Sequence, residues 1–372
     1  MMYVLLALAT LLLSYANGAN DNFKAVATIY GSSTLSYRRA LALATVAQIL
    51  GSIASVVLAG ALLAKFTGQG LVGPDTLADG RFIVAVALGA GATVLLATRI
   101  GLPISTTHSI IGGLVGAGVA LSPNGVAWAS LGAVFLLPLL ISPFLAFAIA
   151  ATLYPMARHV RRRLGIDEVT CLCVGKEVMP VAITSDGALV VMKTGLSLTV
   201  EQAQACQRRY SGSVLGISAQ GAIDSLHLTS GLSLGFARGL NDTPKIMALL
   251  LASGSIGVNP SLGLVVVAMM MALGGILHSR RMAITLGQRI TEMNRGQGFV
   301  ANIVASALVI GATLLGSPVS TTHVATGSIF GIGLWTRRAH WGVVGQIVAA
   351  WIVTLPLAAL LASLAAITLK AF

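Results

Sequence analysis

The chain has 372 residues, of which 56% are hydrophobic and only 9% are charged, and its mean hydropathy is +0.90. Since an ordinary soluble domain is about 25% charged, this composition indicates a polytopic membrane protein. The formal net charge is +12. It does not indicate a nucleic-acid partner, because the Lys and Arg residues lie at the ends of apolar runs instead of together on a polar domain.

Ten apolar runs approach the length of about 20 residues that crosses a bilayer. A polar segment at residues 156–227, which holds six of the eleven acidic residues, separates the first five runs from the last five. The runs fall near residues 2–22, 40–64, 82–98, 103–121, 126–155, 228–254, 261–279, 298–316, 318–335 and 341–369.

The polar segment predicts three parts: a membrane repeat at 1–155, an extramembrane insert at 156–227 and a second membrane repeat at 228–372. In the insert, residues 178–183 and 188–192 flank an Asp-Gly pair, which is typical of a β-hairpin. Residues 200–210 have the pattern of a short helix. We therefore expect a small α+β insert.

Two motifs occur in both membrane parts and in the same order. The first is GAND at 18–21 and GLND at 239–242, each with a Lys three residues after the Asp. The second is LPISTTH at 102–108 and SPVSTTH at 317–323. The second copies follow the first by 221 and 215 residues. The chain is therefore an internal duplication.

Because each half has an odd number of runs, the second half enters the membrane from the opposite side and has the inverted orientation. The expected fold is all-α, with two inverted-topology repeats, broken or re-entrant helices and the small insert. A cytoplasmic insert agrees with the positive-inside rule, because the outer loops at 122–125 and 255–260 carry no charge. The turns on the insert's side then carry Arg38, Arg39, Arg99, Arg280, Arg281, Arg289, Arg295, Arg337 and Arg338.

The first motif places ionisable groups inside apolar runs, where each costs about 2.5 to 3.5 kcal/mol at a helix centre. Its carboxylates and amides are the oxygen ligands of a sodium ion or a proton relay: Asn20, Asp21, Asn241 and Asp242. The neighbouring glycines, Gly18, Gly31 and Gly239, would let the helix unwind and expose carbonyl groups. The alternative is a buried Asp–Lys ion pair that only fixes helix packing.

The second motif predicts a helix start capped by a Ser, with unpaired main-chain N–H groups beside it. Such a start binds anions, and hydroxyl groups add neutral donors. The donors are Ser105, Thr106, Thr107, Ser320, Thr321 and Thr322. The alternative is capping and helix–helix hydrogen bonding alone. We expect neutral donors, not an arginine clamp, since Arg238 is the one Arg near either motif. His108 and His323 are predicted to be structural and to donate to a carbonyl of the partner helix.

The paired GAND/GLND and P-[IV]-S-T-T-H motifs resemble those of the inorganic phosphate transporter (PiT) family of cation-coupled symporters. The resemblance covers both membrane halves. It implies an inverted-repeat fold with phosphate, or a related oxyanion such as sulfate, at the repeat interface. It implies that Asn20, Asn241 and the six Ser and Thr residues bind the substrate, and that Asp21 and Asp242 serve the cation.

The chain departs from the family pattern where an Asn follows each Asp by three residues, because Lys24 and Lys245 stand there. Gln48 and Asn302 stand where the family commonly has Glu. The lysines supply two positive charges from the protein itself and lie on the face of their Asp if the segment is helical. We therefore expect them to neutralise the sodium sites and leave uptake weakly sodium-dependent and proton-coupled. The alternative is that both lysines snorkel to an interface.

These patterns favour a secondary transporter in a bacterial plasma (inner) membrane over an enzyme or an ion channel. The sequence has no HExxH, GxSxG or P-loop motif, so we expect no catalytic residues and no cofactor other than transported ions. Inorganic phosphate and membrane lipid are the expected partners, and a homo-oligomer is left open.

Overall fold

The computed structural model describes residues 2–122, 125–166, 170–181, 190–202, 215–252 and 259–371. The Cα positions divide the chain into two compact units. One is Met1–Leu153 with Leu228–Phe372, and the other is Tyr154–His227. The division of the membrane part into repeats 1–155 and 228–372 around a cytoplasmic insert stays a prediction.

Helices dominate the described residues. They are α1 (Met2–Asp21), α2 (Ala27–Gly31), α3 (Tyr37–Leu58), α4 (Gly60–Lys65), α5 (Pro74–Ala78), α6 (Gly80–Ile100), α7 (Thr106–Leu121), α8 (Trp128–Ser130), α9 (Leu137–Arg163), α10 (Ala219–Ala252), α11 (Pro260–His278), α12 (Arg280–Ile284), α13 (Arg295–Leu314), α14 (Thr321–Thr336) and α15 (Trp341–Lys370). A 3-10 turn at Asn22–Val26 joins α1 to α2, and π-helical turns at Leu131–Leu136 and Thr285–Arg289 precede α9 and follow α12.

Seven helical segments of the described part are long and apolar enough to cross a membrane. They are Met2–Gly31, Tyr37–Leu58, Gly80–Ile100, Trp128–Arg163, Ser261–His278, Arg295–Leu314 and Trp341–Lys370. The apolar windows of Trp128–Arg163 and Trp341–Lys370 are only 28% and 22% buried, so these two are the least buried of the seven segments. The chain is an integral, multi-pass membrane protein, and the all-α fold class is confirmed.

The ten apolar runs are not ten clean spans, because several runs are interrupted. Runs 103–121 and 318–335 become α7 and α14, which have 16 residues each and follow an extended segment. They are shorter than the roughly 20 residues that a span requires. The run at 40–64 is divided between α3, which ends at Leu58, and α4. The short helices α7 and α14 occur at matching places in the two halves, as the duplicated second motif predicts.

The motif glycines are points of close helix crossing, so the predicted unwinding at these residues is wrong. A Cβ atom on Gly18 would lie 1.8 Å from the carbonyl oxygen of Met271, and one on Gly239 would lie 2.0 Å from that of Gln48. Both glycines lie within helices. The backbone tightens after the motif instead, in the 3-10 turn at Asn22–Val26, while α10 continues through Pro244.

The halves interlock through glycines spaced four apart on α7 and α14. Gly112 and Gly116 on α7 meet α15, since a Cβ on Gly116 would lie 1.9 Å from the oxygen of Ala359. The equivalent Gly327 and Gly331 on α14 meet α9. Small residues at this spacing let helix backbones approach closely in membranes. The last helix of each half, α9 or α15, therefore packs against the short helix of the other half.

The unit Tyr154–His227 contains a three-stranded antiparallel sheet in the order β2-β1-β3. Its strands are β1 (Thr170–Val181), β2 (Val190–Gln202) and β3 (Leu215–Ser218). The predicted hairpin pairing of 178–183 with 188–192 is confirmed for the described residues, and its Asp-Gly turn lies outside them. The predicted helix at 200–210 is wrong at its start, because β2 runs to Gln202, and residues 203–210 lie outside the described part.

Candidate functional site

The two Ser-Thr-Thr segments form the starts of α7 and α14, as predicted. Ser105 accepts a hydrogen bond from the His108 N–H at 3.2 Å, and Ser320 accepts one from the His323 N–H at 3.2 Å. The two caps have nearly the same backbone angles, with φ of −97° and −99° and ψ of 115°. The predicted Ser caps are confirmed. The amide groups of the following two Thr residues in each helix have no acceptor within their own helix.

The two helix starts meet each other across the repeats. Thr322 donates through Oγ1 to the Ile104 carbonyl at 2.8 Å, and Thr107 donates to the Val319 carbonyl at 3.3 Å. The members of each pair lie in opposite halves of the chain. All six Ser and Thr residues are at most 5% exposed. The structure thus gathers the predicted anion donors into one buried, two-fold arrangement.

Lys24 lies inside this arrangement. Its ammonium group pairs with Asp21 and donates to the Ile104 carbonyl at 2.7 Å and to the Thr322 hydroxyl at 2.6 Å. An ammonium group has three protons to donate, and three oxygen atoms receive them here. The side chain is 4% exposed, so it does not snorkel to an interface.

Lys245 makes the equivalent contacts from the other half. It donates to the Val319 carbonyl at 2.7 Å and to the Thr107 hydroxyl at 2.8 Å. Its carboxylate partner is more distant, with 3.8 Å between Lys245 Nζ and Asp242 Oδ1. Each lysine therefore binds the carbonyl group before its own repeat's helix start and a Thr hydroxyl of the opposite repeat.

The two carboxylates also accept from the first Thr of each helix. Thr106 Oγ1 lies 3.2 Å from Asp21 Oδ2, and Thr321 Oγ1 lies 3.5 Å from Asp242 Oδ2. Asp21 is 1% exposed and Asp242 is 3% exposed. Each Asp thus connects its lysine to its own repeat's helix start.

The predicted amide ligands, Asn20 and Asn241, stabilise the segments before the helix starts. Asn20 accepts from the Ile104 N–H at 3.2 Å and donates to Thr98 Oγ1 at 3.0 Å. Asn241 accepts from Thr313 Oγ1 at 3.0 Å and donates to the Val319 carbonyl at 3.4 Å. Both amides use protein partners in this conformation, so they position the donors.

Two residues that sequence reasoning did not place at the site lie at its centre. Asn17 donates to Thr106 Oγ1 at 3.0 Å, to Asp21 Oδ2 at 3.2 Å and to Asp242 Oδ2 at 3.3 Å. Arg238 donates to Asn17 Oδ1 at 2.7 Å. Each residue directly precedes its motif's glycine. The repeat spacing of 221 residues, which relates Asn17 to Arg238, was the signal that could have identified the pair.

The two histidines that follow the Ser-Thr-Thr segments contact each other through their rings. The ring centroids of His108 and His323 are 4.4 Å apart, and His323 stacks on Trp351 at 3.9 Å. Among the described residues, neither ring donates to a carbonyl group, and His108 Nδ1 and His323 Nε2 have no hydrogen-bond partner. The expected carbonyl bond is therefore wrong, because ring stacking positions these side chains.

The other two departures from the family pattern form hydrogen bonds with uncharged side chains. Gln48 donates to Ser52 Oγ at 2.8 Å, and Asn302 accepts from Thr28 Oγ1 at 3.1 Å. Neither hydrogen bond involves an Asp or Lys of the motifs. In the part of the chain that the structure describes, no group of three or more His, Cys, Asp or Glu side chains is placed to hold a metal ion.

Proteins similar to this chain are described as phosphate transporters. A model of the phosphate transporter family matches residues 17–362. Relatives from Mycobacterium tuberculosis and Mycobacterium bovis, each described as a probable low-affinity inorganic phosphate transporter, are 28% identical over 96% of this chain and 75% of their own length. A solved structure described as the sodium-dependent phosphate transporter superposes with a TM-score of 0.76 at 20% identity, covering 100% of this chain and 99% of its own. At that identity the likeness concerns the fold.

Proposed function

The chain belongs to the phosphate transporter family, and from this we propose that it is a symporter that carries inorganic phosphate across the membrane. The observation that carries the proposal is the reciprocal meeting of the α7 and α14 starts around four buried charged groups. A symmetric, buried site between inverted repeats is where secondary transporters bind substrate. The description of the relatives as inorganic phosphate transporters supports the choice of anion.

The proposed anion site uses neutral donors from both repeats. The N–H groups of Thr106, Thr107, Thr321 and Thr322 lie at the positive ends of two helix dipoles. The Thr hydroxyls now donate to carbonyl and carboxylate oxygens, and rotation about their C–O bonds would turn the same protons toward an oxyanion. Two helix starts related by a two-fold axis present donors to opposite sides of a tetrahedral ion. Sulfate has the same shape, so a sulfate transporter is the alternative substrate assignment.

The proposed coupling ion is the proton and not sodium. Each ammonium group lies against three oxygen atoms of the kind that a sodium ion would use. A sodium ion at Asn20, Asp21, Asn241 and Asp242 would have to share the two carboxylates with Lys24 and Lys245. A buried lysine can exchange protons, which would give coupling to a proton gradient a chemical basis.

Uptake by proteoliposomes tests the substrate and the coupling together. Purified protein is reconstituted, and radiolabelled phosphate uptake is measured with sodium and pH gradients imposed separately. We expect uptake that an inward proton gradient drives and that sulfate inhibits weakly. Sulfate uptake in preference to phosphate would favour the alternative substrate, and unitary currents in a planar bilayer would identify a channel.

The Thr hydroxyls give a prediction about the anion site. Thr107→Val or Thr322→Val keeps the side-chain shape and removes one donor, so phosphate binding is expected to weaken by about 1 to 3 kcal/mol. The measurement is the KM for phosphate uptake. Thr152→Val on α9 is the matched control, because this exposed hydroxyl donates only within its own helix. Native phosphate uptake kinetics in both variants would show that these hydroxyl groups do not bind the anion.

The proposed arrangement in the membrane gives a second prediction. A Cys introduced in the loop at 122–125 or in the loop at 255–260 is expected to react with an impermeant maleimide from outside intact cells, because both loops carry no charge. The native cysteines of the insert at 156–227 are expected to react only after the membrane is made permeable. Labelling of the two introduced cysteines from opposite sides would contradict the inverted five-run scheme.

A further inference from the structure

The two-fold arrangement of the site is broken at one pair of positions. Asn17 and Arg238 are equivalent by the 221-residue spacing of the first motif, yet one is a neutral amide and the other a guanidinium. The flanking residues keep the symmetry, since both Gly18 and Gly239 are close helix crossings. Asn17 and Arg238 therefore differ in charge, whereas the helix packing beside them is alike.

Arg238 reaches from the second repeat into the first. Its Nη1 donates to Asn22 Oδ1 at 3.1 Å, and its Nη2 donates to Asn17 Oδ1 at 2.7 Å. Its Nε lies 3.7 Å from Asp242 Oδ2 and has no hydrogen-bond acceptor among the described residues. The side chain is only 2% exposed. An arginine cannot lose its proton in a protein, so a permanent cation with an unused Nε–H donor is buried at the repeat interface.

The charges of the centre do not balance once Arg238 is counted. Lys24 offsets Asp21, and Lys245 offsets Asp242. Arg238 is then one positive charge in excess in the described part of this cluster. A buried cluster with an uncompensated net charge is strongly unfavourable. A singly charged anion at the neighbouring helix starts would offset the excess positive charge. Asn17 connects the guanidinium to those starts, because it accepts from Arg238 and donates to Thr106 Oγ1.

We infer that Arg238 is the counter-charge of the transported anion and supplies, from the protein, the positive charge that a co-transported metal cation would otherwise bring. This assignment rests on the proposed phosphate transport and makes Arg238 a residue that determines the affinity for the anion. It replaces the expectation that neutral donors alone hold the anion. A purely structural link between the repeats is the rival explanation, since Arg238 also ties Asn17 and Asn22 to α10.

The test compares three variants in proteoliposomes, with choline or sodium as the external cation. Arg238→Asn copies the equivalent residue and removes the excess charge. Asn17→Asp keeps Arg238 but cancels the charge with an isosteric carboxylate. Arg238→Lys keeps the charge and loses the fork of donors. In choline, the first two variants are expected to raise the KM for phosphate by about tenfold or more, and Arg238→Lys is expected to raise it less.

Sodium distinguishes the counter-charge from a structural link. In Arg238→Asn and Asn17→Asp, added sodium is expected to lower the KM again, because a bound cation restores the missing charge. A structural link predicts a lower maximal rate at an unchanged KM in Arg238→Asn, and it predicts no recovery of the KM by sodium in Asn17→Asp. Either of these results would overturn the inference.

The outcomes separate this inference from the proposed function. Native protein that transports phosphate while both neutralised variants keep the native KM overturns the counter-charge alone. Native protein that takes up no phosphate overturns the proposed function and the counter-charge with it. If Arg238→Asn does not assemble, the isosteric Asn17→Asp decides, since a raised KM that sodium reverses supports the inference and an unchanged KM refutes it.

Discussion

A Lys24→Asn, Lys245→Asn double variant is expected to take up phosphate in a sodium-dependent manner, with a stimulation of about tenfold or more, whereas native uptake changes little with sodium. Removal of the ammonium groups leaves the buried Asp21 and Asp242 with Arg238 as the one remaining cation among the described residues of the centre. Because buried carboxylates without cations are costly, the variant gains a strong reason to bind external cations. The measurement is initial uptake as a function of sodium concentration at constant ionic strength.

The geometry around each ammonium group explains why sodium is the expected replacement. Lys24 lies against a carboxylate, a carbonyl and a hydroxyl oxygen, contributed by Asp21, Ile104 and Thr322. Such oxygen atoms are the ligands that hard cations prefer. An Asn is shorter than a Lys and leaves these oxygens in place around a space that a small cation can enter. The Lys245 side offers an equivalent carbonyl and hydroxyl pair.

A matched control replaces two lysines outside the centre. Lys370 is exposed and donates to the Ala120 carbonyl, and Lys65 lies at the end of α4. A Lys65→Asn, Lys370→Asn variant loses the same formal charge but is expected to keep the native response to sodium. Strong, saturable sodium dependence of the native protein would contradict the idea that the ammonium groups take the place of sodium.

The gathering of residues into one site could be predicted from the sequence because the chain is duplicated. A lone Asp–Lys pair or a lone Ser-Thr-Thr segment has a structural explanation, but two copies of both in the same order indicate a shared interface. The Ser caps were also predictable, since a cap depends on residues within one turn of the helix. Ser105 and Ser320 form it with the same geometry.

The partners across the repeats could not be predicted, because they depend on how the two halves interlock. Sequence reasoning placed each lysine with its own Asp, whereas Lys24 also binds Thr322 and Lys245 also binds Thr107. The roles of Gly18 and Gly239 were missed for the same reason. A glycine in a helix permits either unwinding or close packing, and only the position of the neighbouring helix decides between them.

Asp21→Asn is expected to destabilise the protein by about 3 to 5 kcal/mol, because it removes one partner from a buried ion pair. Lys24 keeps its carbonyl and hydroxyl acceptors but loses the only carboxylate against which it lies among the described residues. The centre then holds two excess positive charges. Phosphate uptake is expected to fall by about 10- to 100-fold, because the hydrogen bond from Thr106 to the carboxylate at the start of α7 is lost.

Asp79→Asn is the control for Asp21→Asn. Asp79 pairs with Arg81, the two side chains being 25% and 38% exposed, and it caps α6 by accepting from the Arg81 N–H. An exposed ion pair contributes only about 0 to 1 kcal/mol, and Asn is an equally good cap. Thermal unfolding in detergent is therefore expected to change little in Asp79→Asn and strongly in Asp21→Asn.

A second substitution separates the loss of stability from the loss of transport. Lys24→Met added to Asp21→Asn removes the unpaired ammonium group, and replacing both members of a buried pair by uncharged residues is often neutral. The double variant is expected to regain most of the native unfolding temperature but not phosphate uptake, because the carboxylate that contacts Thr106 is still absent. Native stability and native uptake in Asp21→Asn alone would show that the Asp21–Lys24 pair contributes to neither.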